Sequence, residues 1–562
     1  MTTPTYYRGP LGLVNRATDA LAGVLSPTWQ ARRMMARDAA RLGYDAAQAK
    51  RTRRTIRSTG SGDSDLLPDL VTLRDNARTM VRDDANAAAL MRVLLENVVG
   101  TGLVPQGAVV GGQATGWTQQ QADDWNGQAE EVFNAWADDE ADATEHTDFA
   151  GLQQQVLREM VRDGEHLSHR LVVTGGRPRR IRSAVELIDV DRLVTPIKRD
   201  QADVRGGVEI GARSQPLAYW ITPRHPADLP AATASERLRK NQPERWARWE
   251  NGYLSILHTF ERERAGQHRG VPMFASSFGL IEALNDIVES ETVAARAAAR
   301  ICLLVKQTAQ TSWPGLQQQP QGEWHEKLDA GTIKYLNPGE DAVPFVPNRP
   351  GNTWAQFCNR VLRSVCSSFG LPLEMVARDW AAMSYSGMRG ALNEAHRGFG
   401  QWQQRLEVGF LRKWWAIVIT EAVDSGVLAK PPRWDLNRRA YLAHTWVPPS
   451  WGYVDPTKEI QAEREAIAAN LTTPQAAAQR QGGDSEANLR ARARHLVRCR
   501  ELEEANGLEP GSLSSMLVQP APAAAVQPAA PAGQPPGGQD PAQPGDQPQD
   551  ATPQDQPQDP NQ

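Results

Sequence analysis

Five side chains within twelve residues, Arg378, Trp380, Ser384, Tyr385 and Arg389, combine two cations, two aromatic rings and two hydroxyls. Such a set suits sequence-independent contact with a nucleic-acid backbone: guanidinium and hydroxyl groups meet phosphate oxygens, and rings offer stacking faces. Trp380 and Tyr385 can equally be packing residues, and the residue types leave both readings open. A second cationic group lies near the N-terminus, where nine basic residues between Arg32 and Arg57, among them Arg32, Arg33, Arg51, Arg53, Arg54 and Arg57, face only Asp38 and Asp45. This basic arm either neutralises phosphates, with affinity that falls steeply in salt, or tethers the chain to an acidic partner surface. The opposite sign dominates residues 123–148, where ten carboxylates gather and no Lys or Arg occurs. Carboxylates can hold Mg²⁺ beside a phosphodiester, so a Mg-dependent DNA-processing enzyme is the alternative reading of this segment. The plainer reading is the solvated face of an amphipathic helix, because Trp125, Phe133 and Trp136 recur at helical spacing.

Other chemistry lacks its sequence requirements. None of the nine lysines follows the Gly-rich turn of a phosphate loop, and Gly100-Thr-Gly102 has the spacing of a helix stop rather than of a dinucleotide loop. Glu165-His166-Leu-Ser-His169 lacks the order that puts two imidazoles one helical turn apart around a Glu. No nucleophile elbow is present, and Cys302, Cys358, Cys366 and Cys499 form no CxxC pair. The expectation is a protein with no catalytic residues, no metal and no cofactor, made in a reducing compartment.

The elements that must position these groups follow from composition and periodicity. At 562 residues the chain is long enough for several folded units, and its net charge of −4 argues against a uniformly polybasic protein. From Val518 to Gln562 there are twelve Pro, five Asp and no Lys or Arg; setting those acids aside turns −4 into +1, so the body is nearly neutral. That tail has the composition of a disordered segment. Ser58–Ser64 reads as a linker, and Leu70, Leu73, Ala77 and Met80, then Ala88, Met91, Leu94 and Leu95, predict one or two helices stopped at Gly100. Short β-rich runs follow at Leu167–Val173, Val185–Val190 and Ala218–Ile221. Long helical patterns cover Phe274–Val305, Trp354–Phe369 and Met388–Asp424, with further helices from Asp455 to Ala505. The fold class is therefore α+β, mainly helical. No run of 18 apolar residues and no secretory leader pattern occurs, which predicts a soluble chain with no membrane partner.

Several segments together resemble the portal proteins of tailed bacteriophages, specifically the lambda-like portal family. They are Leu94-Leu-Glu-Asn-Val-Val-Gly-Thr-Gly-Leu-Val-Pro-Gln106; Arg269-Gly-Val-Pro272 with Ala294-Ala-Arg-Ala-Ala-Ala299; Gly331-Thr-Ile-Lys-Tyr-Leu-Asn-Pro-Gly-Glu-Asp341 and Arg349-Pro-Gly351; Phe369-Gly-Leu-Pro372 and Met383-Ser-Tyr-Ser-Gly-Met-Arg389; and Trp446, Val454-Asp-Pro-Thr-Lys-Glu459 and Gly482-Gly-Asp484. Order and spacing fit over roughly residues 10–505. The resemblance implies a portal-type subunit in a homo-oligomeric ring, usually of twelve copies, at one capsid vertex. Through it double-stranded DNA is packaged by a separate terminase motor and later ejected into the tail. The implied parts are a basic arm (1–60), a wing (61–272), a first stem helix (273–305) and a clip (306–352). A second stem helix (353–370), a tunnel loop (371–388), a long helix returning to the wing (389–454) and a crown (455–510) follow, then the Pro/Gln-rich tail (511–562), which has no family counterpart. Implied partners are the terminase large subunit, a head-tail adaptor, and the major capsid and scaffold proteins. Implied locations are the virion and, during assembly, the host cytoplasm. A channel that lets DNA slide should not hold each phosphate tightly, and a nearly neutral body suits that requirement.

Overall fold

The computed structural model describes residues 60–196, 203–228, 241–300, 304–305, 334–335, 354–452 and 455–515. The arm residues Arg32 to Arg57, nearly all of the expected clip, Cys302 and the Pro/Gln-rich tail beyond residue 515 lie outside the described residues.

A short helix, α1 (Gly62–Leu66), precedes α2 (Leu70–Asp83) and α3 (Ala85–Val98). Two helices form rather than one because Asp84 is extended and its carboxylate accepts from the Ala87 N–H at 2.7 Å, capping α3. Gly100, at φ +51°, ends it in the left-handed region. The acidic segment supplies α4 (Gln119–Asp139), opened by a Thr118–Gln121 capping box. Its apolar stripe, Ala122, Trp125, Ala129, Phe133 and Trp136, is fully buried while most of its acids face solvent. Trp136 stacks on Trp414 with ring centroids 5.6 Å apart, and its indole N–H donates to the Ser183 carbonyl at 2.8 Å. Burying both the ring and its polar edge in this way contributes most when the N–H finds a partner. Helix α5 (Phe149–Arg162), capped by Asp148, adds Phe149, Leu152, Val156 and Leu157 to the same core.

Strand β1 (Val104–Gly107) is followed by β2 (Glu165–Val172) and β3 (Ser183–Ile188), which pair antiparallel. A second, four-stranded antiparallel sheet contains β4 (Val204–Arg205), β5 (Val208–Ile210), β6 (Pro216–Ile221) and β7 (Glu244–Ala247) in that order. Strand β8 (Ile256–Phe260) completes the first sheet on the free edge of β2, with His258 opposite Leu167. The β-rich runs of the sequence therefore fall on β2, β3 and β6.

Helix α6 spans Phe278–Arg300, shorter than the pattern predicts. Pro272 is extended, so the residues after it form a 3₁₀ turn, Met273–Ser276, and at the far end Leu304–Val305 pair in parallel with Lys334–Tyr335. Twenty-three residues give a rod of about 35 Å. Its start, Phe278, Ile281 and Leu284, is buried, whereas Val288 and Val293 beyond are exposed. Helix α7 (Trp354–Ser368) leads to α8 (Leu373–Ala377), which follows Pro372 and ends at Arg378 with φ +53°. The segment 371–388 is thus not one long loop. Only 371–372 and 378–384 are irregular, because the Ser384 hydroxyl accepts from Gly387 N–H and starts α9 (Tyr385–Leu406) three residues earlier than periodicity suggests. A π-helical turn, Glu407–Leu411, joins α9 to α10 (Arg412–Asp424). Its cause is the Thr259 hydroxyl of β8, which donates to the Gly409 carbonyl at 2.9 Å where only a residue without a side chain fits. After α11 (Trp434–Tyr441), β9 (His444–Val447) pairs antiparallel with β1, bringing residues 447 and 104 together. Helices α12 (Pro456–Ala468) and α13 (Pro474–Arg480) close the first compact unit, which ends at Ser485. The second unit begins at Glu486 and its described part is essentially one helix, α14 (Ser485–Asn506). No described helix is long and apolar enough to cross a membrane.

Candidate functional site

The structure separates the five expected DNA-facing residues into two groups. Arg378, left-handed and exposed, directs its guanidinium to Glu96 of α3 at 2.9 and 3.2 Å. Both partners are more than half exposed, so the pair is worth about 0–1 kcal/mol and a phosphate can compete for the arginine. Trp380 is half-buried, between the packing and stacking readings. Ser384 spends its hydroxyl as the α9 cap. Tyr385, half exposed, and Arg389 lie one turn apart on α9, and Arg389 lines an open cleft of about 660 Å³ with Leu392, His396, Trp451, Glu459 and Glu463. In that cleft the His396 ring stacks flat on Trp451, centroids 4.1 Å apart, and burial lowers the basicity of His396. Sequence reasoning did not name Lys458 as a site residue. Its ammonium bonds Asp455 at 2.8 Å, which raises its pKa, and it lies within electrostatic reach of Tyr385 and Arg389. The available signal was the motif Asp455-Pro-Thr-Lys-Glu459 itself.

The acids of residues 123–148 are largely committed to holding the fold. Glu130 accepts from Gly107 N–H, Glu140 from the N–H groups of Arg180 and Ile181, and Asp142 from those of Thr144, His146 and Thr147. Asp148 caps α5, and Asp123 and Asp124 accept from the Gln119 and Gln120 amides one turn earlier. Nothing in this arrangement favours a Mg-dependent enzyme.

The Glu165–His166 pair has a different role from the one its residue types suggest. Glu165 is completely buried and accepts from Arg269 through Nε at 2.9 Å and Nη2 at 2.6 Å, from Arg74 at 3.0 Å, from His258 Nε2 at 2.9 Å and from Gly270 N–H at 3.0 Å. Burial alone would raise its pKa, but the Arg269 charge and the His258 bond outweigh it and hold the carboxyl well below the ordinary range. His258 is displaced downward by burial despite its carboxylate partner. Arg269 also donates to the carbonyls of Gly206 and Val190, so the Arg269-Gly-Val-Pro272 motif is a clamp joining both sheets to α2. Next to it Arg74 bonds Asp191 at 2.7 Å, and Arg78 bonds Asp163, Asp189 and Asp191 at 2.8, 3.1 and 2.5 Å. Among the described residues Asp189, Asp191 and His225 are the one group spaced to ligate a metal, and these two arginines already supply the positive charge a cation would bring.

The described residues thus combine a core stapled by buried ion pairs with cationic and aromatic groups around an exposed helix start. The family model described as phage portal protein, lambda family, matches residues 48–403. The chain belongs to that family. It is 27% identical to the "Probable portal protein" of Halomonas phage phiHAP-1 over 500 residues, covering 85% of this chain and 90% of that one. It is 22% identical to "Portal protein B" of Escherichia phage lambda, covering 80% and 87%, and 21% identical to the "Portal protein" of Escherichia phage N15, covering 75% and 83%. Among solved structures, a chain from the virion of a native gene transfer agent particle is similar at 14% identity and a TM-score of 0.38, covering 77% of this chain and 94% of that one.

Proposed function

We propose that this chain forms a homo-oligomeric ring, of twelve subunits, at one capsid vertex, through which double-stranded DNA enters under a separate terminase motor and leaves into the tail. The observation that carries this reading is the lambda-family portal match over residues 48–403, to which the named relatives add near full-length similarity. Helix α6 supports it physically. Beyond Leu284 it leaves the core with Val288 and Val293 exposed, an arrangement that a neighbouring copy in a ring would cover. In this reading α6 and α7 are the stem helices, 306–352 the clip, residues 371–388 the tunnel segment, with Arg389 beside it, and 455–510 the crown. Terminase large subunit, head-tail adaptor, major capsid and scaffold proteins are the partners, with assembly in the host cytoplasm and residence in the virion. Sedimentation velocity of the purified chain tests the ring. The expected result is one species near twelve times the 61.8 kDa subunit; a species that stays at one or two subunits at micromolar concentration overturns it.

A further inference from the structure

Helix α14 carries a charge pattern that its own stability does not explain. Arg490, Arg492, Arg494, Arg498 and Arg500 fall within eleven residues with no acid between them, and Glu501, Glu503 and Glu504 follow at once. Cations favour the last turn of a helix, yet here acids occupy that end; Glu486 sits favourably in the first turn, and the arginines lie between, out of reach of either terminus. All five arginines are exposed. Arg490 pairs with Glu486 and Arg498 with Glu501, both at 3.1 Å, while Arg492 and Arg494 bond no described residue. One acid is held away: the Glu503 carboxylate accepts from the N–H groups of Gly511 and Leu513 at 2.8 and 2.7 Å, which keeps it ionised and turned inward, while Glu501 and Glu504 are exposed.

Successive positions advance by about 100°, which puts Arg490, Arg494 and Arg498 on one stripe about 80° wide and Arg492 and Arg500 about 200° and 280° round from Arg490, so no single face holds all five. A neighbouring protein helix would engage one face only. A helix lying in the major groove of duplex DNA has phosphates along both flanks, and the groove admits an α-helix. The basic half is about 15 Å long, over which B-DNA carries about nine phosphate charges, more than five arginines can saturate.

We propose that the Arg490–Arg500 half of α14 is a sequence-independent contact surface for the phosphate backbone of double-stranded DNA. It binds by charge, and its strength falls with salt. The inference rests on the portal reading for the presence of DNA beside this chain, and the experiment separates the two. The full-length chain and the variant Arg492→Gln/Arg494→Gln/Arg500→Gln are titrated against a fluorescein-labelled duplex of mixed sequence between 50 and 200 mM NaCl, with ring formation followed by electron microscopy. The expected result is intact rings, binding weakened at least tenfold at 50 mM, and a log–log salt slope shallower by about two to three, since each phosphate contact contributes about 0.9. The corresponding triple Lys variant should retain most of the binding. Intact rings with unchanged affinity and slope overturn the proposal. Loss of rings in the Gln variant, with the Lys variant restoring them, also overturns it, because the arginines would then serve the neighbouring copy. Failure of the unmodified chain to form rings speaks against the portal reading alone.

Discussion

Replacing Arg269 by Met keeps much of the side-chain volume but strips the Glu165 carboxylate of its main partner. Two bonds from Nε and one from Nη2 to Glu165 disappear, together with those to the Gly206 and Val190 carbonyls. Arg74 and His258 remain beside a fully buried carboxylate. Breaking one side of a buried ion pair costs about 3–5 kcal/mol because the other charge stays desolvated. A cooperative unit as long as the first compact one has an unfolding entropy of about 1 kcal/mol/K, so each kcal/mol moves the midpoint by about 1 °C and the melting temperature should fall by about 3–5 °C. Circular dichroism and tryptophan fluorescence measured on both proteins at the same concentration give the shift. Glu165→Gln should cost a comparable amount, since it leaves Arg74 and Arg269 facing each other, and the double variant should cost clearly less than the two singles added together. A shift below about 2 °C for Arg269→Met, or strict additivity, would refute the reasoning that this network is a coupled clamp.

Three further outcomes follow from the same geometry. Glu165 and His258 both titrate below their unfolded values of about 4.3 and 6.5, so their contribution is complete above those values and is lost as pH falls. Unfolding midpoints should begin to drop below about pH 6.5 and drop further below about pH 4, and Glu165→Gln should flatten the lower limb; a midpoint constant from pH 7 to pH 3 contradicts this. At Gly270 an added Cβ runs into the Gly164 carbonyl, backbone against backbone, so Gly270→Ala should cost about 3 kcal/mol or more and sharply reduce soluble protein, whereas Gly279→Ala, where the space is open, should be tolerated. Arg378→Ala with Trp380→Ala should leave rings intact yet lower the DNA content of particles assembled on them, and normal DNA content removes functional support from the tunnel segment.

Where periodicity met a buried face, the sequence was readable: α2, α3, the three β runs and the tryptophan stripe of α4 fall where spacing puts them. What it could not reveal depended on partners distant in the chain. Arg269 lies 104 residues from Glu165, and a lone Glu-His pair carries no mark of the clamp it will join. The π turn at Gly409 is made by a hydroxyl 150 residues away. The early start of α9 was in principle legible, because Ser384 is a good cap, but the apolar pattern that delimits helices is weak before Leu392. Of the candidate site, Tyr385, expected in the loop, joins Arg389 on one helix because Ser384 caps α9 early, while the Arg378–Glu96 pair and the proximity of Lys458 to Arg389 arise from packing between segments that no local pattern connects.

Cryo-electron microscopy of the purified full-length protein tests the central claim most directly. The account predicts a closed ring of identical subunits around an axial opening wide enough for a B-form duplex, with α6 and α7 covered by the neighbouring copy. Discrete monomers, or an assembly closed along its axis, would contradict it.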